Sequence, residues 1–180
     1  HDGSRRRDVR PVSPYHLQTT AAYMIIGVDP GVQGGVAVLT DDGLVGYLFK
    51  MPPTLSLVAD LREIAHAAPD RLFAFVEAAQ AFPGNGCVTM FNYGRGYGEV
   101  LGVLTALEIP FELVRPAIWT KEMLAGTPIS RDSEKKIKKD KTRNVAAARR
   151  LFPSQPEMRA NRPHTGLTDA LLIAEWGRRK

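Results

Sequence analysis

Between residues 24 and 50 three apolar runs follow one another with almost nothing between them: MIIGVD, GVAVLT and, after DDG, LVGYLFK. A parallel crossover needs a dozen residues or more, so runs joined by such short turns are confined to antiparallel pairing. Pro30-Gly31 and Gly34-Gly35 mark the first turn, and Asp41-Asp42-Gly43 marks the second. The pattern predicts a meander of three strands over 23–29, 36–40 and 44–50.

After the meander the pattern alternates. Leu57, Leu61, Ile64, Ala65 and Ala68 recur at helical spacing behind Pro52-Pro53, with Thr54 as the expected N-cap. LFAFVE, residues 72–77, is apolar up to its last residue and reads as a strand covered on both faces. Residues 81–92 are rich in Gly, Pro and small side chains and are expected to form a loop. YGRGYGEVLGVLTAL, residues 93–107, reads as a helix opened by glycines, whose Gly98, Gly102 and Ala106 would let another helix approach closely. A fifth strand is expected over 109–114, then a short helix with Pro116 near its first position. Residues 126–136 read as a mobile loop and 154–165 as irregular chain. Further helices are expected over about 140–152, stopped by Pro153, and about 167–177, capped by Thr165 or Thr168. Three meander strands followed by βα units make an α/β fold, a mixed five-stranded sheet flanked by helices on both faces. That is the strand order of the ribonuclease-H-like fold.

Residues 1–22 lack this periodicity, contain Pro11 and Pro14, and precede Met24-Ile25-Ile26. They are expected to be a flexible leader (a tag, an alternative start or a targeting remnant), leaving 23–180 as a single domain. The rest of the composition acts by exclusion. One cysteine, Cys87, rules out an internal disulfide, and the four His with that Cys show no zinc spacing. No His or base is placed to activate the Cys87 thiol. No apolar run approaches the roughly 18 residues of a membrane span, so no membrane partner is expected. The formal charge is +5, and its placement says more than its size. Residues 131–143, RDSEKKIKKDKTR, carry seven basic against three acidic side chains. Such a surplus suits an anionic partner.

Three carboxylates stand out. Asp29 ends the first strand, Glu77 ends the fourth, and Asp169 opens the last helix. Alone, each has an ordinary structural reading, as a turn cap or a helix-dipole partner. In a mixed sheet, however, the first and fourth strands are commonly neighbours, and matched strand ends project into one cleft. Three like charges there are costly unless a cation neutralises them. Hard divalent ions accept carboxylate oxygens, and a pair of them can activate water and stabilise the leaving oxygen of a phosphodiester.

In order along the chain, IIGVDPGVQGGVAVL, FVEAAQAFPG, YGRGYG, RPAIWTK, KDKTRNVAAARRLFP and HTGLTDALLIAEWG resemble segments of the RuvC family of Holliday-junction resolvases. The likeness covers roughly residues 24–178 and is nearest to the phage RuvC-like and chloroplast branch. It implies a homodimeric nuclease that cuts four-way DNA junctions symmetrically with two Mg²⁺ ions per site, for which Mn²⁺ can substitute. Asp29, Glu77 and Asp169 match the family's acids. His164 falls where many phage-type members have Asp, and is expected to bind metal or act on the attacking water. Lys141 matches a family lysine near the active site and is expected to aid charge stabilisation. Lys121 follows the RP-x-x-W element and is expected to hold DNA.

Further DNA contacts are expected from Lys135, Lys136, Lys138, Lys139 and Arg143 on the backbone, with strong salt dependence. Arg95 lies in the glycine-rich segment. Phe82, Phe91 and Tyr93 could stack on unstacked bases; core packing is the competing reading for each. Trp119 and Trp176 read as core residues. The expected setting is the cytoplasm of a bacterial or phage-infected cell, with a chloroplast nucleoid as the alternative. Two other functions fit the same residues. One is a ribonuclease-H-like nuclease on hybrids or other branched DNA; the other is a junction-binding module that does not cut.

Overall fold

A computed structural model describes residues 23–80, 84, 86–128 and 141–180, the side chains of 141 and 142 excepted. The meander forms as the short turns require: β1 (Met24–Asp29), β2 (Gly35–Thr40) and β3 (Val45–Lys50). β1 and β2 pair antiparallel from Met24↔Thr40 to Asp29↔Gly35, and β2 pairs antiparallel with β3, with an irregularity between Val38 and Leu39. The βα units supply α1 (Thr54–Ala67), β4 (Leu72–Glu77), α2 (Cys87–Ala106), β5 (Phe111–Val114) and α3 (Pro116–Met123). Three helices follow: α4 (Lys141–Leu151), α5 (Pro156–Arg159) and α6 (Thr165–Arg178). The five strands form one mixed sheet in the order β3-β2-β1-β4-β5, with β4 parallel to both β1 and β5.

Two apolar layers sandwich the sheet. Ile26, Val28, Val38, Ala74 and Val76 face α1 and α2 with Leu57, Leu61, Ile64 and Leu104. Ala37, Leu39 and Phe75 face α3, α4 and α6 with Trp119, Met123, Ala147 and Leu171. Alternate residues of each strand serve opposite layers, which is why β2 is buried along its whole length. Truncating one of the fully buried Leu or Ile side chains to Ala should cost about 2–5 kcal/mol.

α6 is the centre of the second layer. From Gly166 to Gly177 every residue except Asp169 is buried, the mark of a helix apolar on all sides. It lies directly on the β1–β2 hairpin because glycine occupies both contact points. A Cβ on Gly27 would fall into the backbone of Ala170 and Ala174, and one on Gly166 into the backbone of Gln33 and Gly34. Gly166 therefore brings the start of α6 to the Asp29 end of the sheet.

Several local expectations are corrected. α2 begins at Cys87 instead of 93, so Cys87 and Phe91 are helical. The stretch CVTMFN holds no Gly or Pro to break a helix, and the loop is correspondingly shorter. Pro53, not Thr54, is the N-cap of α1; the Thr54 hydroxyl instead donates to Glu99 Oε2 at 2.6 Å. His164 precedes α6 as its N-cap, while the Thr168 hydroxyl turns back to the His164 carbonyl at 3.1 Å. A Cβ on Gly98 or Gly102 would meet nothing within 4 Å, so no described helix packs where small residues were expected to admit one. The expected irregular segment after Pro153 contains the short helix α5. The leader 1–22 and most of the loop expected at 126–136 lie outside the described residues.

Candidate active site

β1 and β4 run side by side in parallel, with Val28 opposite Val76. The next residue of each strand is an acid, so Asp29 and Glu77 leave the sheet together at one end. Oδ1 of Asp29 accepts the Gly31 amide at 3.1 Å, which fixes the carboxylate over its own turn. Oε2 of Glu77 accepts Nε1–H of Trp119 at 3.1 Å. Trp119 is 2% exposed; its ring is core, as expected, but its indole N–H orients an acid. On α6, Oδ1 of Asp169 accepts the side-chain amide of Asn144 at 2.7 Å. The Gly166 contact places Asp169 at the same end of the sheet as Asp29 and Glu77. These three donors, a backbone amide, an indole N–H and a side-chain amide, are neutral and orient the carboxylates.

Tyr93 joins this group. Its half-buried phenol is raised above the ordinary tyrosine range by burial, then by the charges of Glu77 and Asp29 and by Tyr97. Stacking on DNA was the sequence expectation for Tyr93; the fold sets it within electrostatic reach of both acids. α1, α2, α3 and α6 also begin at this end, since each follows a strand end or, for α6, the Gly166 contact. None of these four helices has a side-chain hydrogen bond at its cap. Unbonded backbone N–H groups at a helix start favour an approaching anion.

The other expected site residues are dispersed. His164 stands at the N-terminus of α6 and is half-buried. Lys121 is exposed in the last turn of α3. Phe91 is 70% exposed, on the second turn of α2. Arg95 is exposed and pairs with Glu99 at 3.7 Å. Arg143 donates to the carbonyls of Leu124 and Thr127 at 3.2 and 3.3 Å, fastening α4 to the end of α3. Lys141 opens α4, and Phe82, Lys135, Lys136, Lys138 and Lys139 lie outside the described residues. Trp119 and Asn144 were not foreseen as partners of the acids. The available signal was chemical: a buried indole N–H needs an acceptor.

The donor set suits a hard cation, since carboxylate oxygens are what Mg²⁺ or Mn²⁺ prefers. Among the described residues, however, no three of His, Cys, Asp and Glu are gathered closely enough to form a metal site. The expected ligands Asp29, Glu77, Asp169 and His164 thus share one end of the sheet without closing around a point.

No protein-family model matches the chain. Its sequence is similar to the chloroplastic Holliday junction resolvase MOC1 of Chlamydomonas reinhardtii, 30% identical over 122 residues. That match covers 67% of this chain, which spans only 13% of the relative's length. The fold is similar to that of Thermus thermophilus RuvC in complex with a Holliday junction substrate. The TM-score is 0.57 at 19% identity, over 86% of this chain and 91% of that one. A second Thermus thermophilus RuvC structure gives 0.51 at 22% identity, over 85% and 92%. In fold the chain is thus similar to RuvC, a mixed five-stranded sheet flanked by helices.

Proposed function

We propose that this chain is a metal-dependent endonuclease that resolves four-way DNA junctions by phosphodiester hydrolysis. The observation that carries the reading is the matched ending of two parallel strands in Asp29 and Glu77, with the glycine-packed start of α6 bringing Asp169 to the same end. Asp29, Glu77 and Asp169, with His164 beside them, would hold two divalent cations, Mg²⁺ or Mn²⁺. Such ions supply charge neutralisation at the scissile phosphate and activation of water. Trp119 and Asn144 set the rotamers of Glu77 and Asp169. The helix N-termini favour the approach of a phosphate, and Lys141 adds charge stabilisation.

Lys121, Lys135, Lys136, Lys138 and Lys139 would hold the backbone of neighbouring arms, with Phe82, Phe91, Tyr93 and Arg95 nearer the branch point. Two copies of the domain at 23–180, preceded by the leader 1–22, would place two such sites on the symmetric strands of one junction. The relative's chloroplastic location supports a chloroplast setting for this chain; a bacterial or phage-infected cytoplasm is the other setting. No described helix is long and apolar enough to cross a membrane.

A cleavage assay decides the reading. A four-way junction, an RNA–DNA hybrid and a plain duplex are offered with Mg²⁺ and Mn²⁺, with Asp29→Asn as control. Symmetric nicks in the junction, absent in the control, are the expected result. Preferred cutting of the hybrid, or junction binding without product at any metal concentration, would overturn it in favour of a hybrid nuclease or a binding module respectively.

A further inference from the structure

The arginines of α4, Arg143, Arg149 and Arg150, each spend their guanidinium on backbone carbonyls. Arg143 and Arg150 stand about two helical turns apart and so share a face. Both reach the end of α3. Arg143 donates to the carbonyls of Leu124 and Thr127 at 3.2 and 3.3 Å, and Arg150 to that of Met123 at 3.2 Å. Arg149 points elsewhere, donating to the carbonyls of Met158 and Ala160 at 2.9 and 2.8 Å, and ties α4 to α5. As caps, the bonds from Arg143 and Arg150 satisfy carbonyls that a helix end leaves open. Their position gives them a second effect.

α3 is eight residues long, too short to hold its own geometry in water, so its orientation is set by what grips it. Trp119 stands in its middle, buried in the layer that also holds Met123 and, from α4, Ala147 and Ala148. Its Nε1–H reaches Oε2 of Glu77 at 3.1 Å. That length is near the long limit of a good N–H···O bond, so a shift of α3 by about half an ångström would forfeit it. On α4, Asn144 meanwhile donates to Asp169 at 2.7 Å, and α4 itself packs on α6, the helix that carries Asp169. One helix therefore grips both acids, Asp169 through a direct bond and Glu77 through α3.

We infer that Arg150, together with Arg143, is a positioning residue of the candidate site: it fixes the end of α3, thereby the Trp119 indole, and thereby the direction of the Glu77 carboxylate. Its part in cleavage rests on the junction reading; its hold on the indole does not. The test therefore has two arms. The first uses the metal-free chain with isotope-labelled tryptophan and reads its two indole N–H signals by NMR. Trp119→Phe identifies the Trp119 signal by deleting it. Arg150→Met, which keeps the stem and removes the donors, should move that signal upfield and speed its exchange with solvent about 10-fold. Arg150→Lys, which keeps a donor, should restore most of both. Arg149→Met, which gives up bonds to two carbonyls instead of one, should leave the signal in place.

The second arm is single-turnover junction cleavage. Arg150→Met should slow cutting about 10-fold and raise the half-saturating Mg²⁺ concentration. Trp119→Phe added to it should cost less than about threefold more, whereas Asn144→Leu should keep its full effect. An indole signal unmoved by Arg150→Met, or moved as far by Arg149→Met, overturns the inference. So do losses from Arg150→Met and Trp119→Phe that simply multiply. If the indole responds as expected and the wild-type chain cuts no junction, the positioning stands and the junction reading falls. Arg149 and Arg150 are exposed, and a cooperative melting transition checks that each variant folds.

Discussion

The two ends of α6 treat a carboxylate in opposite ways. Asp169, one turn into the helix, accepts a neutral amide from Asn144. Glu175, six residues on, is 5% exposed and clamped by two guanidinium groups, Arg178 at 2.7 and 3.0 Å and Arg179 at 2.8 Å. Arg178 also donates to the Asp41 carbonyl, and Lys180 pairs with Glu122 at 3.1 Å while lying 4.7 Å over the Trp176 ring. The basic C-terminus is therefore occupied in closing the fold, and its cations complement the negative end of the helix. An acid that holds structure together is neutralised from within. Glu77 and Asp169, by contrast, accept from an indole N–H and a side-chain amide, neutral donors that set the direction of each carboxylate.

The comparison breaks first where the effects are largest. Asp169→Asn and Glu77→Gln should lower junction cleavage on the order of 10³-fold or more, with junction affinity in Ca²⁺ nearly unchanged. Glu175→Gln should leave the cleavage rate per folded molecule unaltered. Equal losses at positions 169 and 175, read as single-turnover rates, would erase the distinction between the two ends.

A finer test removes only the aiming. Trp119→Phe keeps most of the buried ring and deletes the N–H to Glu77; Asn144→Leu deletes the amide to Asp169. Each should cost roughly 10–100-fold in cleavage and raise the Mg²⁺ concentration needed for half-maximal rate. A purely structural role would lower the melting temperature and leave that metal dependence in place.

The smallest effect is on stability. Burial works to raise the Glu175 carboxyl, but hydrogen bonds and charge from Arg178 and Arg179 outweigh it and hold the group below the usual range. Its contribution is present above the unfolded value of about 4.3 and is lost as the pH falls through the lower folded value. Glu175→Gln should therefore cost about 1–2 kcal/mol at neutral pH, discounted because both arginines are partly exposed. Urea unfolding at descending pH should show that gap constant from pH 7 to 5 and closing below about pH 4.3. A gap that widens in acid would contradict the ion-pair assignment.

The strand pattern was legible because hairpin turns and apolar alternation are local signals. LFAFVE was read with the bounds the fold gives it, and Asp29 and Glu77 end β1 and β4 as the pattern implied. What misled was also local. The glycines of YGRGYG suggested that the helix starts there, whereas α2 starts six residues earlier. Gly34-Gly35 read as turn formers, yet Gly34 and Gly35 also border the contact with Gly166. Arg143 read as a DNA contact, and its guanidinium is spent on two carbonyls of the same fold.

By itself, then, the order of residues determined the meander, the βα units and the placement of an acid at two strand ends and near the start of the last helix. These follow from chain connectivity and the two-residue period of a strand, which act over a few neighbours. Only the folded chain decided that Trp119 and Asn144 aim those acids, that Tyr93 stands within reach of two of them, and that Gly27 and Gly166 let α6 lie on the hairpin. Those are contacts between residues tens of positions apart, made when the two apolar layers close on the sheet, and no local periodicity encodes them.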